Sequence, residues 1–161
     1  MSTQTTNFNF ELPSGSDIVD PVAQIANNFQ KVDDKLGTDY VTEQGTSNGW
    51  WYVKWKSGHA ECGIYNKAFS SQSMSSWGNL YKTGSMAFGS YPSDVITWTD
   101  VPHVQINFIY DDSGAFGGIV MPLATTKAQA LTSSPNFCIV RTDSITFSGP
   151  HLGIRVSGTC K

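Results

Sequence analysis

Charge is scarce in this chain, and basic charge scarcer still. Of 161 residues only 10 are Lys or Arg, against 13 Asp or Glu, and no basic run occurs. A net charge of −3 leaves no electrostatic footprint for a nucleic acid or an anionic membrane surface, so neither is expected as a partner. No stretch approaches the roughly 20 apolar residues of a membrane span. The opening residues, MSTQTTNFNFELPSGSD, hold neither a basic cluster nor an apolar run. No signal peptide is therefore expected, and synthesis is assigned to a cytosol. Cysteine is limited to Cys62, Cys138 and Cys160, an odd number with the spacing of no metal ribbon; buried free thiols are the reading for all three.

Catalytic signatures are missing too. There is no GxSxG, HExxH, P-loop or GxGxxG, and His59, His103 and His151 are scattered. A histidine on a three-fold axis could bind a metal with its symmetry copies, but isolated surface or turn histidines are far commoner. No metal and no cofactor is expected. Asp111-Asp112 precedes Ser113-Gly114 and reads first as a turn, with Ca²⁺ or sugar hydroxyls as the rival ligands. Glycosidase chemistry needs two carboxylates roughly 5–10 Å apart across a cleft, and no such pairing can be drawn from the few acids. The chain is not expected to be an enzyme.

What the chain does have is Gly, Ser, Thr and Asn in abundance, with 12% aromatic residues. That mixture favours short strands joined by turns. Residues 1–19 read as an extended arm, 20–37 as a helix, and 40–161 as an antiparallel β-sandwich. Asp20 suits the N-cap, Pro21 the first helical position and Gly37 the C′ position. The apolar residues Ile18, Val22, Ile25, Phe29, Val32 and Leu36 are spaced 4, 3, 4, 3, 4, a heptad seam with Val22, Phe29 and Leu36 at a. So short a helix is marginal alone and must bury its seam. It can lie across its own β-domain, with Ala23 and Ala26 widening the stripe, or pack on copies of itself. The β-branched residues at d favour three or four strands over a parallel dimer.

Three of five tryptophans fall in GWWYVKWKSGHAECG, residues 49–63. Read as a hairpin with a two-residue Ser57-Gly58 turn, it sets Trp55 opposite Ala60, Val53 opposite Cys62 and Trp51 opposite Ile64. Trp51 and Trp55 are then core. Lys54 faces Glu61 and Trp50 faces Tyr65 on the second face. Further strands are expected at 102–110, 117–122 and 136–141 and near 84–89 and 95–99. A closing hairpin is expected from 144–148 and 151–156 about Gly149-Pro150. Residues 66–83 read as loop or edge strand.

Two stretches resemble a known family. TTNFNFELPSGSDIVDPVAQIANNFQKVDDKL, residues 5–36, with its Asn28-Phe29-Gln30-Lys31-Val32-Asp33 core, is similar to the opening of many phage and prophage tail proteins. YVTEQGTSNGWWYVKWKSGHAECG, residues 40–63, resembles the segment that follows in tail-fibre and receptor-binding proteins of Gram-positive phages. Gly63 departs from the pattern, because an aromatic often follows that cysteine. The resemblance covers the first 40% or so of the chain. It implies a homotrimer on the virion tail, made in the host cytoplasm. The arm would attach to tail or baseplate proteins, the helix would trimerise, and a jelly-roll-like head would adhere to a host cell-wall saccharide without catalysis. It moves the tryptophan hairpin towards framework and specificity towards loops. Trp77, Tyr81, Tyr91, Trp98, Asp111 and Asp112 are the saccharide candidates, each with a rival reading as core or turn. A ligand-free structural tail part and a glycan-cleaving spike are the alternatives.

Overall fold

Residues 3–4, 11–12, 21–35, 39–115 and 117–161 are described in a computed structural model. The chain divides into two compact units, Met1–Tyr40 and Val41–Lys161. In the first, β1 (Thr3–Gln4) pairs antiparallel with β2 (Glu11–Leu12). Helix α1 spans Pro21–Lys35, within the span expected from Pro21 and the apolar period. Ile25 and Phe29 are 56% and 69% exposed, and Val32 is half-buried. The expected caps Asp20 and Gly37, the seam residues Ile18 and Leu36, and the side chain of Val22 lie outside the described residues.

The second unit is mainly β, as its composition predicts. The chain runs through β3 (Val41–Ser47), β4 (Trp50–Trp55) and β5 (His59–Ala68). It crosses to β6 (Gln72–Trp77) and β7 (Leu80–Thr83), then returns after a long irregular segment to β8 (His103–Asp111). There follow β9 (Ile119–Pro122), the four-residue helix α2 (Lys127–Ala130), β10 (Phe137–Arg141), β11 (Thr146–Phe147) and β12 (Pro150–Thr159). Two five-stranded antiparallel sheets result, ordered β3-β4-β5-β12-β8 and β11-β6-β7-β10-β9. Their inner faces share one core. Trp50, Tyr52, Cys62, Leu152, Ile154 and Val156 meet Phe137, Ile139 and Phe147 there, and Phe88, Tyr91, Ile96 and Trp98 of the irregular segment join them.

The register of the tryptophan hairpin differs from expectation by one residue. Trp51 pairs with Gly63, Tyr52 with Cys62, Val53 with Glu61 and Lys54 with Ala60. The connection is a three-residue loop, Lys56-Ser57-Gly58. Gly58 takes φ +83, which only glycine adopts freely, and its N–H donates to the Trp55 carbonyl at 3.0 Å. A slip of one residue exchanges the faces of a strand. Trp50 and Tyr52 are therefore core, at 2% and 9% exposed, while Trp51, Val53 and Trp55 lie on the outer face. The expected ion pair is exchanged as well. Lys54 meets Glu43 of β3 at 2.9 Å, and the Tyr52 hydroxyl donates to the same carboxylate at 3.0 Å. Glu61 turns to Arg155 of β12 instead.

Other expectations are corrected. Residues 66–83 form the end of β5 and the whole β6–β7 hairpin, which turns on Gly78 at φ +62. The segments near 84–89 and 95–99 are not strands. Single bridges tie Met86 to Phe137 and Trp98 to Cys160, and the Val95 and Ile96 N–H groups turn back to the Pro92 carbonyl. Residues 144–156 do not form a hairpin, because β11 pairs with β6 and β12 with β5 and β8. Gly149-Pro150 is a crossing between sheets. The strands at 102–110, 117–122 and 136–141 appear as β8, β9 and β10, with Val104, Ile106 and Phe108 facing inward as their alternation requires. All three cysteines are free and buried. No helix among the described residues is long and apolar enough to cross a membrane.

Candidate functional site: the outer face of the first sheet

The six saccharide candidates do not converge. Trp77 and Tyr81 lie on the β6–β7 hairpin of the second sheet. Trp77 is exposed, with the Lys82 ammonium 5.3 Å from its ring centroid, and Tyr81 is half-buried opposite Arg141. Tyr91 and Trp98 are core residues, 3% and 5% exposed, packed edge to face 6.1 Å apart. Burial raises the Tyr91 phenol above its ordinary range. For both, the rival core reading holds.

Asp111 and Asp112 sit where β8 ends. The Asp111 carbonyl accepts from the Gly114 N–H at 2.9 Å, which closes the expected turn. Its carboxylate accepts from the Ser113 N–H at 2.9 Å and the Ser113 hydroxyl. It also takes the Ser148 N–H at 3.3 Å and the Gly149 N–H at 3.1 Å. One side chain thus pins the β8 turn to the crossing between β11 and β12. Burial alone would raise this carboxyl, but the hydrogen bonds from Ser113, Gly149 and Ser148 outweigh it and hold it below its ordinary value. A depressed carboxyl contributes stability that is present above the unfolded value, near 4, and lost as pH falls through the folded one. Asp111→Ala is expected to cost about 2 kcal/mol at pH 7 and to remove the part of the stability loss below about pH 4 that this group causes. Urea titrations of both proteins at pH 7 and pH 3 check this. Equal destabilisation at the two pH values would refute it. Asp112 is exposed, with Oδ1 3.4 Å from His151 Nε2. His151 stacks on Tyr110 at 4.0 Å, and its Nδ1 lies 2.8 Å from Asn66 Oδ1.

The exchanged register builds a site that alternation alone did not indicate. On the outer face of the first sheet, Trp51 and Tyr65 stack with centroids 5.4 Å apart and planes 20° apart. Tyr65 is 78% exposed. Beside them opens a cleft of about 440 Å³, lined also by Val53, Glu61, Asn107 and Arg155. Gly153 lines it with bare backbone, and the neighbouring Gly63 lies under the Trp51 indole. A Cβ on Gly63 would stand 2.3 Å from the Ile154 carbonyl and 2.8 Å from the Trp51 indole. A Cβ on Gly153 would meet the Tyr65 carbonyl at 2.8 Å. The missing side chain at Gly63 lets Trp51 lie close over the sheet, where its indole N–H is buried without an acceptor among the described residues.

The polar groups of the cleft are only partly engaged with one another. Nη2 of Arg155 donates to both oxygens of Glu61, each at 2.7 Å. Nε and Nη1 of Arg155 have no acceptor among the described residues, and neither does the exposed Asn107 amide. A second cleft, about 420 Å³, lies against the second sheet and differs in this respect. Its Arg141 is closed by Asp143 at 2.8 and 3.0 Å and by the Gly117 carbonyl at 2.8 Å.

Among the described residues, no cluster of three or more His, Cys, Asp or Glu side chains is placed to hold a metal ion. The sequence signal for the outer-face cleft was Gly63 and Gly153 on strands otherwise rich in large residues, since an isolated strand glycine marks a close approach. No protein-family model matches the chain, and neither a curated protein nor a solved structure is significantly similar to it.

Proposed function

We propose that this chain is a phage tail-fibre or receptor-binding protein. In this reading it is a homotrimer held in part by α1, with a jelly-roll-like head that adheres to a host cell-surface saccharide without catalysis. The arm, residues 1–19, joins tail or baseplate proteins, and the protein works on the virion tail. The observation that carries the proposal is the uncovered seam. Phe29 and Ile25, one turn apart on α1, are mostly exposed, and with Val32 they border an apolar groove of about 250 Å³. A helix of 15 residues needs packing to persist, and copies of the same heptad face supply it. The two resembling stretches give the same assembly.

Light scattering tests it. The full chain is expected to hold three copies at micromolar concentration. Phe29→Asp, which places a charge at the centre of the seam, is expected to shift the population towards monomer at least tenfold. Removing residues 1–37 should loosen the trimer to whatever the heads alone can hold. A monodisperse monomer of the full chain would overturn the proposal. A trimer that leaves host cells untouched would favour the ligand-free structural part.

A further inference from the structure

We propose that the outer-face cleft of the first sheet binds a neutral pyranose ring, seated against Tyr65 and Trp51 and hydrogen-bonded by Arg155, Glu61 and Asn107. This deepens the adhesion reading above and rests on it.

The chemistry of the cleft selects the ligand. A pyranose has an apolar face of axial C–H groups and an equatorial belt of hydroxyls. It needs an aromatic surface and, at the rim of that surface, groups that donate and accept in one plane. The Trp51–Tyr65 pair is such a surface, and most of Tyr65 is open to solvent. At its rim Glu61 offers acceptors, Arg155 offers the unengaged donors of Nε and Nη1, and Asn107 offers both. Vicinal hydroxyls fit a guanidinium and a carboxylate as adjacent planar partners. Gly153 lines the cleft with bare backbone, and the volume falls within the range of small-molecule sites.

Charge decides between neutral and acidic sugars. Glu61 and Arg155 neutralise each other at 2.7 Å, and no further carboxylate or cation among the described residues lines the cleft to bias the balance. An acidic sugar would lose more to Glu61 than it gains from a paired arginine. A second copy of the chain is a poorer occupant. Interface centres are depleted in Glu, and here an ion pair and open amide donors stand at the centre.

The test uses the full chain on immobilised glycans. Neutral oligosaccharides of glucose, galactose, rhamnose and N-acetylglucosamine are compared with sialylated and glycerol-phosphate-bearing ones. The expected result is binding to at least one neutral glycan, weakened at least tenfold by Tyr65→Ala and by Arg155→Ala. Ile119→Ala, on the other sheet, is expected to bind as the parent does. Circular dichroism and light scattering verify that each variant keeps its fold and copy number. Neutral-glycan binding that survives both alanine variants would overturn this site and leave the adhesion reading standing. Binding confined to acidic glycans would overturn the neutral class. Loss of copy number in Tyr65→Ala would make the face a contact between copies and overturn the proposal. A parent chain that binds no glycan and no host cell would overturn the site and the adhesion reading together.

Discussion

Gly63→Ala is expected to destabilise the head by about 3 kcal/mol, the upper end for overpacking by small groups. That corresponds to roughly 10 °C in melting temperature for a unit of this size. The size follows from what the methyl would meet. One neighbour is the Ile154 carbonyl at 2.3 Å, a backbone atom of the adjacent strand that moves only if the β5–β12 ladder opens. The other is the Trp51 indole at 2.8 Å. Because the carbonyl contact does not involve Trp51, Trp51→Ala is not expected to rescue the variant. Thermal unfolding followed by circular dichroism measures the effect. A change below about 0.5 kcal/mol, the usual range for surface substitutions, would mean that neither the Ile154 carbonyl nor the Trp51 indole crowds Gly63, and the β4–β5–β12 register would fall with it.

Phe137→Ala should cost still more, about 4 kcal/mol. Phe137 is fully buried. Its ring stacks 5.5 Å from Phe88 at 27° and meets Phe69 edge-on at 5.7 Å. The backbone on either side is pinned by reciprocal bonds to Met86 at 2.8 and 2.9 Å, so the surroundings cannot collapse into the space left behind. The loss combines transfer of the ring with a cavity that stays open. Since a domain of this kind has a total stability of about 5–15 kcal/mol, one substitution removes about a quarter or more. Urea denaturation reads it directly. A cost near 1 kcal/mol would show that the irregular segment carrying Phe88 relaxes into the gap and is not part of the rigid core.

These two residues also mark how far the sequence could be read. The β8 strand was legible because Val104, Ile106 and Phe108 alternate with polar residues, and only one face can be buried. The tryptophan hairpin was not, because both faces are apolar. Trp50, Tyr52 and Cys62 make as good a core as Trp51, Val53 and Trp55, so hydrophobic pattern could not choose between registers. The choice was made by Gly58, whose left-handed backbone adds a third loop residue. The same ambiguity hid the candidate site, since Trp51 and Tyr65 reach the outer face only after that step. MAFG and VITW were apolar enough to pass for strands. They are instead buried by an irregular segment that Pro92 turns and single bridges hold. The helix was legible from Pro21 onward, because a proline start followed by a seven-residue apolar period suits a helix and no strand. Tyr91 and Trp98, offered as loop aromatics for a saccharide, went to the core, where the long irregular segment packs its large rings.

The three sulfurs have one more consequence. Cys62, Cys138 and Cys160 are all free and buried, and burial raises each thiol, Cys62 to about 12. Almost none of the Cys62 thiol is ionised at neutral pH, and the ionised form is the one that exchanges or oxidises. The Cys62 thiol is therefore slow to exchange or oxidise at neutral pH. The fold of the head rests on packing and hydrogen bonds alone, with no cross-link among the three sulfurs to form or to lose.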